Sequence, residues 1–281
     1  MKSKKFIILI SILLIIALII ILASSVFTLK TISFNFLNQR NVLAKYTTDV
    51  FVEDVSVPYG DSIFLINKTK LKDDLESKNA YLEVVSIEKT FPNNIVIHAS
   101  EREEVYAIKI EDNTYAITDK SLKILKFCDK QYLTQTGYIA PIVVEIEYDN
   151  VDLASKGYKI CDFIQETGVT DILLSTVNSF VSAGYSITSF KGFASNIKLC
   201  ESGKFRSSSD SGYDLEFVKT VEISTKYGIK VSINDAYSNI YNKVAMGIAT
   251  YEKIHDSHHT TGEILVYETS DRLMARYRQS D

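Results

Sequence analysis

The densest run of side chains able to do chemistry is His255-Asp256-Ser257-His258-His259, where imidazoles and a carboxylate sit close enough along the chain to ligate zinc. It lacks the pair of histidines one helical turn apart, with a Glu between them, that a helix-borne zinc site presents, and a polar linker is the simpler reading. Ser182-Ala-Gly-Tyr-Ser186 echoes a nucleophile elbow but has no second Gly. Glu101-Arg102 reads as a surface ion pair worth at most about 1 kcal/mol. His98 falls at an outward strand position, and Asn67-Lys68-Thr69 matches a glycosylation sequon that coincides with a helix cap. Cys128, Cys161 and Cys200 are odd in number and widely spaced, which suits neither a disulfide framework nor a metal site. Buried thiols are expected, with a bridge between two of them left open. No catalytic residue, cofactor or metal is expected.

Whatever this chain does, an apolar run decides where it does it. Residues 6–23 are apolar but for Ser11, and 24–27 extend the run toward the roughly 20 residues that cross a hydrocarbon core. Lys2, Lys4 and Lys5 precede it with no acid among them, which predicts a cytoplasmic tail over 1–5, a transmembrane helix over 6–27 and an extracytoplasmic remainder. A cleaved signal peptide is the alternative, but the run exceeds the roughly 7 to 15 apolar residues of such a segment. Three of the 31 basic residues lie before the run, leaving 28 against all 35 acidic ones, a formal charge of −7. That balance argues against a nucleic-acid or anionic-lipid surface on the exported part as a whole.

The exported part opens with alternating residues 31–36, a half-buried strand. A short helix is expected over 38–46, a mixed segment over 50–57, and a turn at Pro58-Tyr59-Gly60-Asp61. Asn67 caps a helix over 68–78 that buries Leu71 and Leu75, and strands 81–89 and 95–100 follow, joined through Thr90-Phe91-Pro92-Asn93-Asn94. Strand, helix, helix, strand, strand makes a small α/β unit. Beyond Glu103 the pattern turns to short strands at 105–110, 115–118, 122–125 and 142–146. Helices over 152–166 and 172–181, strands at 197–200, 218–224 and 229–233, a helix over 236–254 and a last strand at 262–269 complete the reading. Residues 201–213 are small and polar and predict a mobile loop, and 271–281 a fraying, charged C-terminal tail.

The order of these segments, and several stretches within them, resemble the FtsQ/DivIB family of bacterial cell-division proteins. Ile87-Glu-Lys-Thr-Phe-Pro-Asn-Asn-Ile-Val-Ile-His-Ala-Ser-Glu-Arg102 is similar to that family's strand, Phe-Pro turn, strand and Glu-Arg ending. Gly60-Asp61-Ser62-Ile63-Phe64 resembles its turn before the second helix, and Tyr115-Ala-Ile-Thr-Asp119 its next hairpin. Ile229-Lys-Val-Ser-Ile233 followed by Lys243 resembles a later strand and helix. Glu104 stands where the family has Pro and Leu122 where it has Gly, and 126–220 match only in general pattern.

The resemblance implies an α+β fold: the single N-terminal span, a POTRA-like α/β domain over 31–103, then a larger, mostly antiparallel β domain with helices over 104–270. It implies a non-enzymatic scaffold at the division septum, whose partners are FtsB/DivIC-like and FtsL-like bitopic proteins. Carried onto this chain, strand addition falls on 262–269, with Lys243, Ile264, Leu265, Val266 and Tyr267 as the partner-binding residues. On the residues alone, Ile264 and Val266 equally fit a core. A membrane-anchored interaction protein outside division, an anchored cell-wall enzyme and a POTRA module of a secretion system are the other readings of the same chain.

Overall fold

The computed structural model describes residues 10–18, 21, 26–38, 43, 48–53, 55–134, 140–207, 213–256, 261–269 and 272–279. Residues 10–18 are helical and exposed, and among the described residues no helix is long and apolar enough to cross a membrane. The tail over 1–5, the parts of the expected span at 6–9, 19–20 and 22–25, most of the expected helix over 38–46, and His258 and His259 lie outside the described residues. The chain divides into two compact units, Met1–Arg102 and Glu103–Asp281.

In the first unit, β1 (Thr31–Asn38), α1 (Thr48–Val52), α2 (Lys68–Lys78), β2 (Leu82–Thr90) and β3 (Asn94–Glu101) follow in that order. The sheet runs β1-β3-β2, with β1 parallel and β2 antiparallel to the central strand. Asn67 Oδ1 accepts from the amides of Thr69 at 3.0 Å and Lys70 at 3.2 Å, satisfying two of the donors a helix start leaves open. With the helix started there, Leu71 and Leu75 share one face and are buried beneath it. They join Ile95, Ile97 and Leu82 from the sheet, while Phe34 and Phe36 of β1 close on Phe51 of α1 at ring separations of 5.3 and 5.5 Å.

Glu101 and Arg102, expected to face each other in water, are instead buried and serve different partners. Arg102 Nη2 lies 3.0 Å from Glu76 Oε2, and its Nε donates to the Leu82 carbonyl at 3.1 Å. Glu101 Oε2 accepts from the Leu43 amide at 3.1 Å. These charges stitch α2 and the chain entering α1 to the end of β3, so truncating one would strand another in the interior.

The second unit holds β4 (Tyr106–Glu111), β5 (Thr114–Thr118), β6 (Ile124–Cys128), α3 (Lys130–Leu133), β7 (Ile142–Ile146), α4 (Val169–Ser182), α5 (Ile187–Phe193) and β8 (Ala194–Ser207). β9 (Tyr213–Thr225), β10 (Ile229–Asn234), α6 (Ile240–Asp256), β11 (Gly262–Glu268) and β12 (Leu273–Gln279) complete it. Its sheet runs β12-β11-β10-β9-β8-β7-β4-β5-β6, mixed in sense but mainly antiparallel. The fold is thus α+β, a POTRA-like unit followed by a larger sheet. Phe180 of α4, Phe190 of α5 and Phe193 beside them form an aromatic cluster with centroids 4.3 and 5.0 Å from Phe180, and Tyr106 of β4 joins it and donates to the Leu173 carbonyl at 2.9 Å.

Three expectations change here. Where polar composition predicts a mobile loop over 201–213, residues 201–207 instead continue β8 in a hairpin with β9, paired from Ala194↔Thr225 out to Ser207↔Tyr213, while 208–212 lie outside the described residues. Backbone pairing between two adjacent antiparallel segments holds this hairpin without requiring an apolar stripe. The helix over 152–166 is absent. Its residues form a 3-10 turn, Ala154–Lys156, that ends at Gly157 in left-handed backbone, and then an extended stretch bonded to β6 through Ile124 N→Asp162 O at 2.8 Å and Cys161 N→Ile124 O at 2.9 Å. Ile160 and Phe163 stay about half exposed, so no helical stripe is buried. The expected fraying tail contains β12.

Leu122, standing where the family pattern has Gly, adopts φ +65° and is fully buried in the turn that Asp119 Oδ1 holds by accepting from the amides of Ser121 and Lys123, both at 2.9 Å. The left-handed backbone costs a non-glycine residue on the order of 1 kcal/mol, whereas emptying a buried leucine site costs about 3 to 5 kcal/mol. Leu122→Gly is therefore expected to lower the unfolding free energy by about 2 kcal/mol or more in urea titration. A variant as stable as the parent would mean that backbone strain, not burial, governs the site.

Candidate partner-docking edge

β10, α6 and β11 form a crossover: the helix leaves one strand and returns to a parallel neighbour, pairing Ile229↔Gly262 through Ile233↔Val266. α6 packs over β10, β11 and β12. Its approach is close at Gly247, where a β-carbon would stand 2.8 Å from Val231 Cγ1 and 3.5 Å from Val266 Cγ2. β12 then pairs antiparallel along the other side of β11, Gly262↔Gln279 through Glu268↔Leu273.

That arrangement leaves the expected docking strand without a free edge. β11 is bonded to β10 along 262–266 and to β12 along 262–268, and the terminal strand at this end of the sheet is β12, with β6 at the other. Ile264 and Val266 are fully buried beneath α6 and belong to the core. Lys243 is fully buried too. Its ammonium donates to the Asp235 carbonyl at 2.9 Å and lies 3.8 Å from the Asp235 carboxylate and 3.7 Å from Glu268 Oε2, so its acidic partners are supplied by this chain. Leu265 and Tyr267 lie on the opposite face of β11, half exposed, with Arg276 and Met274 as their cross-strand neighbours on β12. β12 itself alternates: Leu273, Ala275 and Tyr277 pack toward the core, while Met274, Arg276 and Arg278 take the other face. That face therefore combines the partly buried Leu265, Tyr267 and Met274 with the exposed Arg276 and Arg278. The alternation in Leu273-Met-Ala-Arg-Tyr-Arg-Gln279 is a strand signal available in the sequence.

An electrostatic link crosses this face. Glu263 lies opposite Arg278, receives a hydrogen bond from the Ser232 hydroxyl and sits 3.3 Å from Lys230 Nζ. Burial works against its charged form, but the Ser232 hydrogen bond and the Lys230 and Arg278 charges outweigh it and hold the carboxyl below its ordinary value of 4.5. A folded pKa below the unfolded one contributes stability above pH 4.5, lost as pH falls through the folded value. The stability difference between the parent and Glu263→Gln, followed by urea unfolding, is expected to be constant above pH 4.5 and to shrink as pH drops below it. A pH-independent difference would remove the ionic origin.

Elsewhere, a cleft of about 570 Å³ in the first unit is lined by Ser62, Asp61, Lys70, Asp74 and their neighbours. No group of histidines, cysteines and acids able to hold a metal occurs among the described residues. The three cysteines are each half-buried, and burial pushes Cys128 up to about 11, away from a reactive thiolate.

Residues 30–102 match the family model described as a POTRA domain of the FtsQ type. Over 79 residues the chain is 34% identical to the cell division protein DivIB of Clostridium acetobutylicum, covering 28% of this chain and 31% of that protein. The first unit is thus similar to the POTRA domain of FtsQ-type proteins. The resemblance read from the Phe91-Pro92 turn and the Glu101-Arg102 ending is therefore borne out, and with it the similarity to division proteins. The chain spans about a third of the DivIB relative's length, and the family-model match ends at residue 102, before the sheet that carries β12.

Proposed function

We propose that this chain is a non-enzymatic, bitopic scaffold of the bacterial division machinery. Residues 6–27 anchor it in the cell membrane with the N-terminus inside, and the POTRA-like unit and larger sheet work outside, at the septum. The observation that carries the reading is the FtsQ-type POTRA unit with its likeness to DivIB. The apolar run with three lysines and no acid before it supports the topology.

In this reading the larger sheet docks a small bitopic partner of the FtsB/DivIC or FtsL kind by strand addition on β12. Main-chain hydrogen bonds supply affinity along an edge, and side chains on one face supply selectivity. Here that face carries Leu265, Tyr267, Met274, Arg276 and Arg278, which suits a partner strand with apolar residues and a carboxylate. The test is a fluorescent fusion of the full chain imaged in dividing cells, with co-purification. A midcell band accompanied by small single-span division proteins is the expected result. A uniform membrane signal without them would point to an anchored interaction protein outside division.

A further inference from the structure

Three phenylalanines from distant parts of the first unit meet on its surface. Phe27 ends the apolar run, Phe64 follows the turn at Pro58–Asp61, and Phe91 stands in the connection between β2 and β3. Their ring centroids are 5.4 Å apart for Phe27 and Phe64, 5.1 Å for Phe64 and Phe91, and 6.2 Å for Phe27 and Phe91. Phe64 is 58% exposed, Phe91 54% and the adjoining Leu65 84%. Folded chains scatter exposed apolar side chains singly, and a contiguous group marks a surface that something covers.

The backbone says what lies beside it. The Ile63 amide donates to the Phe27 carbonyl at 2.8 Å, Leu29 to Asp61 at 2.9 Å, Gly60 to Leu29 at 3.0 Å, and Lys30 to Asn93 at 2.9 Å. The loop bearing Phe64 and Leu65 and the turn bearing Phe91 are thus pinned to the residues that emerge from the apolar run, with no linker between. If residues 6–27 cross the bilayer, Phe27 lies at its outer boundary, and the other three side chains are held at the same depth. Two cations flank the cluster: Lys30 is exposed, and the Lys89 ammonium donates to the Phe64 carbonyl at 3.1 Å. Asp61 and Glu88 are the exposed acids next to these positions in the chain, so lipid contact is led by the rings.

We propose that Phe64, Leu65 and Phe91, with Phe27, form a lipid-contacting foot that seats the POTRA unit on the outer surface of the phospholipid bilayer, its rings in the headgroup and upper acyl region. Amphipathic surfaces that lie on a membrane bury Phe and Leu about 5 to 10 Å into that boundary. The proposal rests on the anchoring role of 6–27, and it fixes the orientation of the first unit against the membrane, which a flexible tether would leave free.

The chain contains no tryptophan, so a single introduced one reports its own surroundings. Full-length Phe64→Trp, Phe91→Trp and Ile15→Trp would be placed in phosphatidylcholine and phosphatidylglycerol vesicles whose acyl chains carry bromine either near the headgroup, to read Phe64→Trp and Phe91→Trp, or near the chain end, to read Ile15→Trp at mid-span. All three are expected to be quenched, with Phe64→Trp and Phe91→Trp losing about half their emission or more, as befits the interface. Quenching of Ile15→Trp alone would keep the anchor and overturn the foot, leaving a protein partner to cover the patch. Quenching of none of the three would overturn both readings.

Discussion

Replacing Lys243 with alanine is expected to cost the larger unit about 3 kcal/mol, the low end of what breaking a buried charge pair costs. The side chain is wholly enclosed, whereas the carboxylates of Asp235 and Glu268 are 59% and 39% exposed, and water can take over their solvation when the ammonium goes. What water does not restore is the Asp235 carbonyl at 2.9 Å and the space of the four-carbon stem. Lys243→Met keeps most of that volume and should cost less, about 1 to 2 kcal/mol, from the carbonyl left unpaired. Urea unfolding of the two variants separates the contributions. If both stay within a few tenths of a kcal/mol of the parent, the lysine is a passenger. If instead partner affinity falls while stability holds, Lys243 meets the partner directly after all.

Lys243 also shows where sequence reasoning reaches its limit. A lysine on an amphipathic helix defaults to solvent, and nothing in its neighbours along the chain announces that Asp235 and Glu268 come from the two ends of a crossover to enclose it. In the first unit the reverse holds. Each element there buries one face, so periodicity is visible: Leu71 and Leu75 one turn apart, alternation through Ile95 and Ile97, and an asparagine where the helix starts. The DivIB-like turn at Phe91-Pro92 lies within that legible stretch. The second unit hides more because its strands are fixed by their partners. β8 and β9 run far past their apolar centres since each pairs with the other, and the stretch after Gly157 gives up an expected helix for bonds to β6. β12 has a readable alternation, but three arginines near a chain end pull the reading toward a charged tail.

Gly262→Ala is expected to be the most damaging small substitution for the proposed docking edge, because that glycine opens β11 at the point where β12 closes on it. Its φ is +148°, and a β-carbon there would stand 2.6 Å from the Arg278 carbonyl oxygen and 2.6 Å from the Tyr277 ring. The ring is held in turn, since Tyr277 Oη donates to the Thr261 carbonyl at 2.6 Å. A flexible side chain could move aside, but the Arg278 oxygen is main chain and belongs to the strand itself. Strain at such a backbone angle costs on the order of 1 to 3 kcal/mol, and a forced shift in a packed region a similar amount. The least expensive relief is for the far end of β12 to lift from β11. Loss of about 2 kcal/mol of stability is therefore expected, with faster amide exchange concentrated in 273–279 and spared in β8 and β9. Partner binding should fall by more than the fraction unfolded explains, because the edge is distorted while the rest of the sheet survives. Exchange that rises evenly across the unit would show that the glycine serves the whole sheet, and the edge would lose its claim to be the separately tunable element of this scaffold.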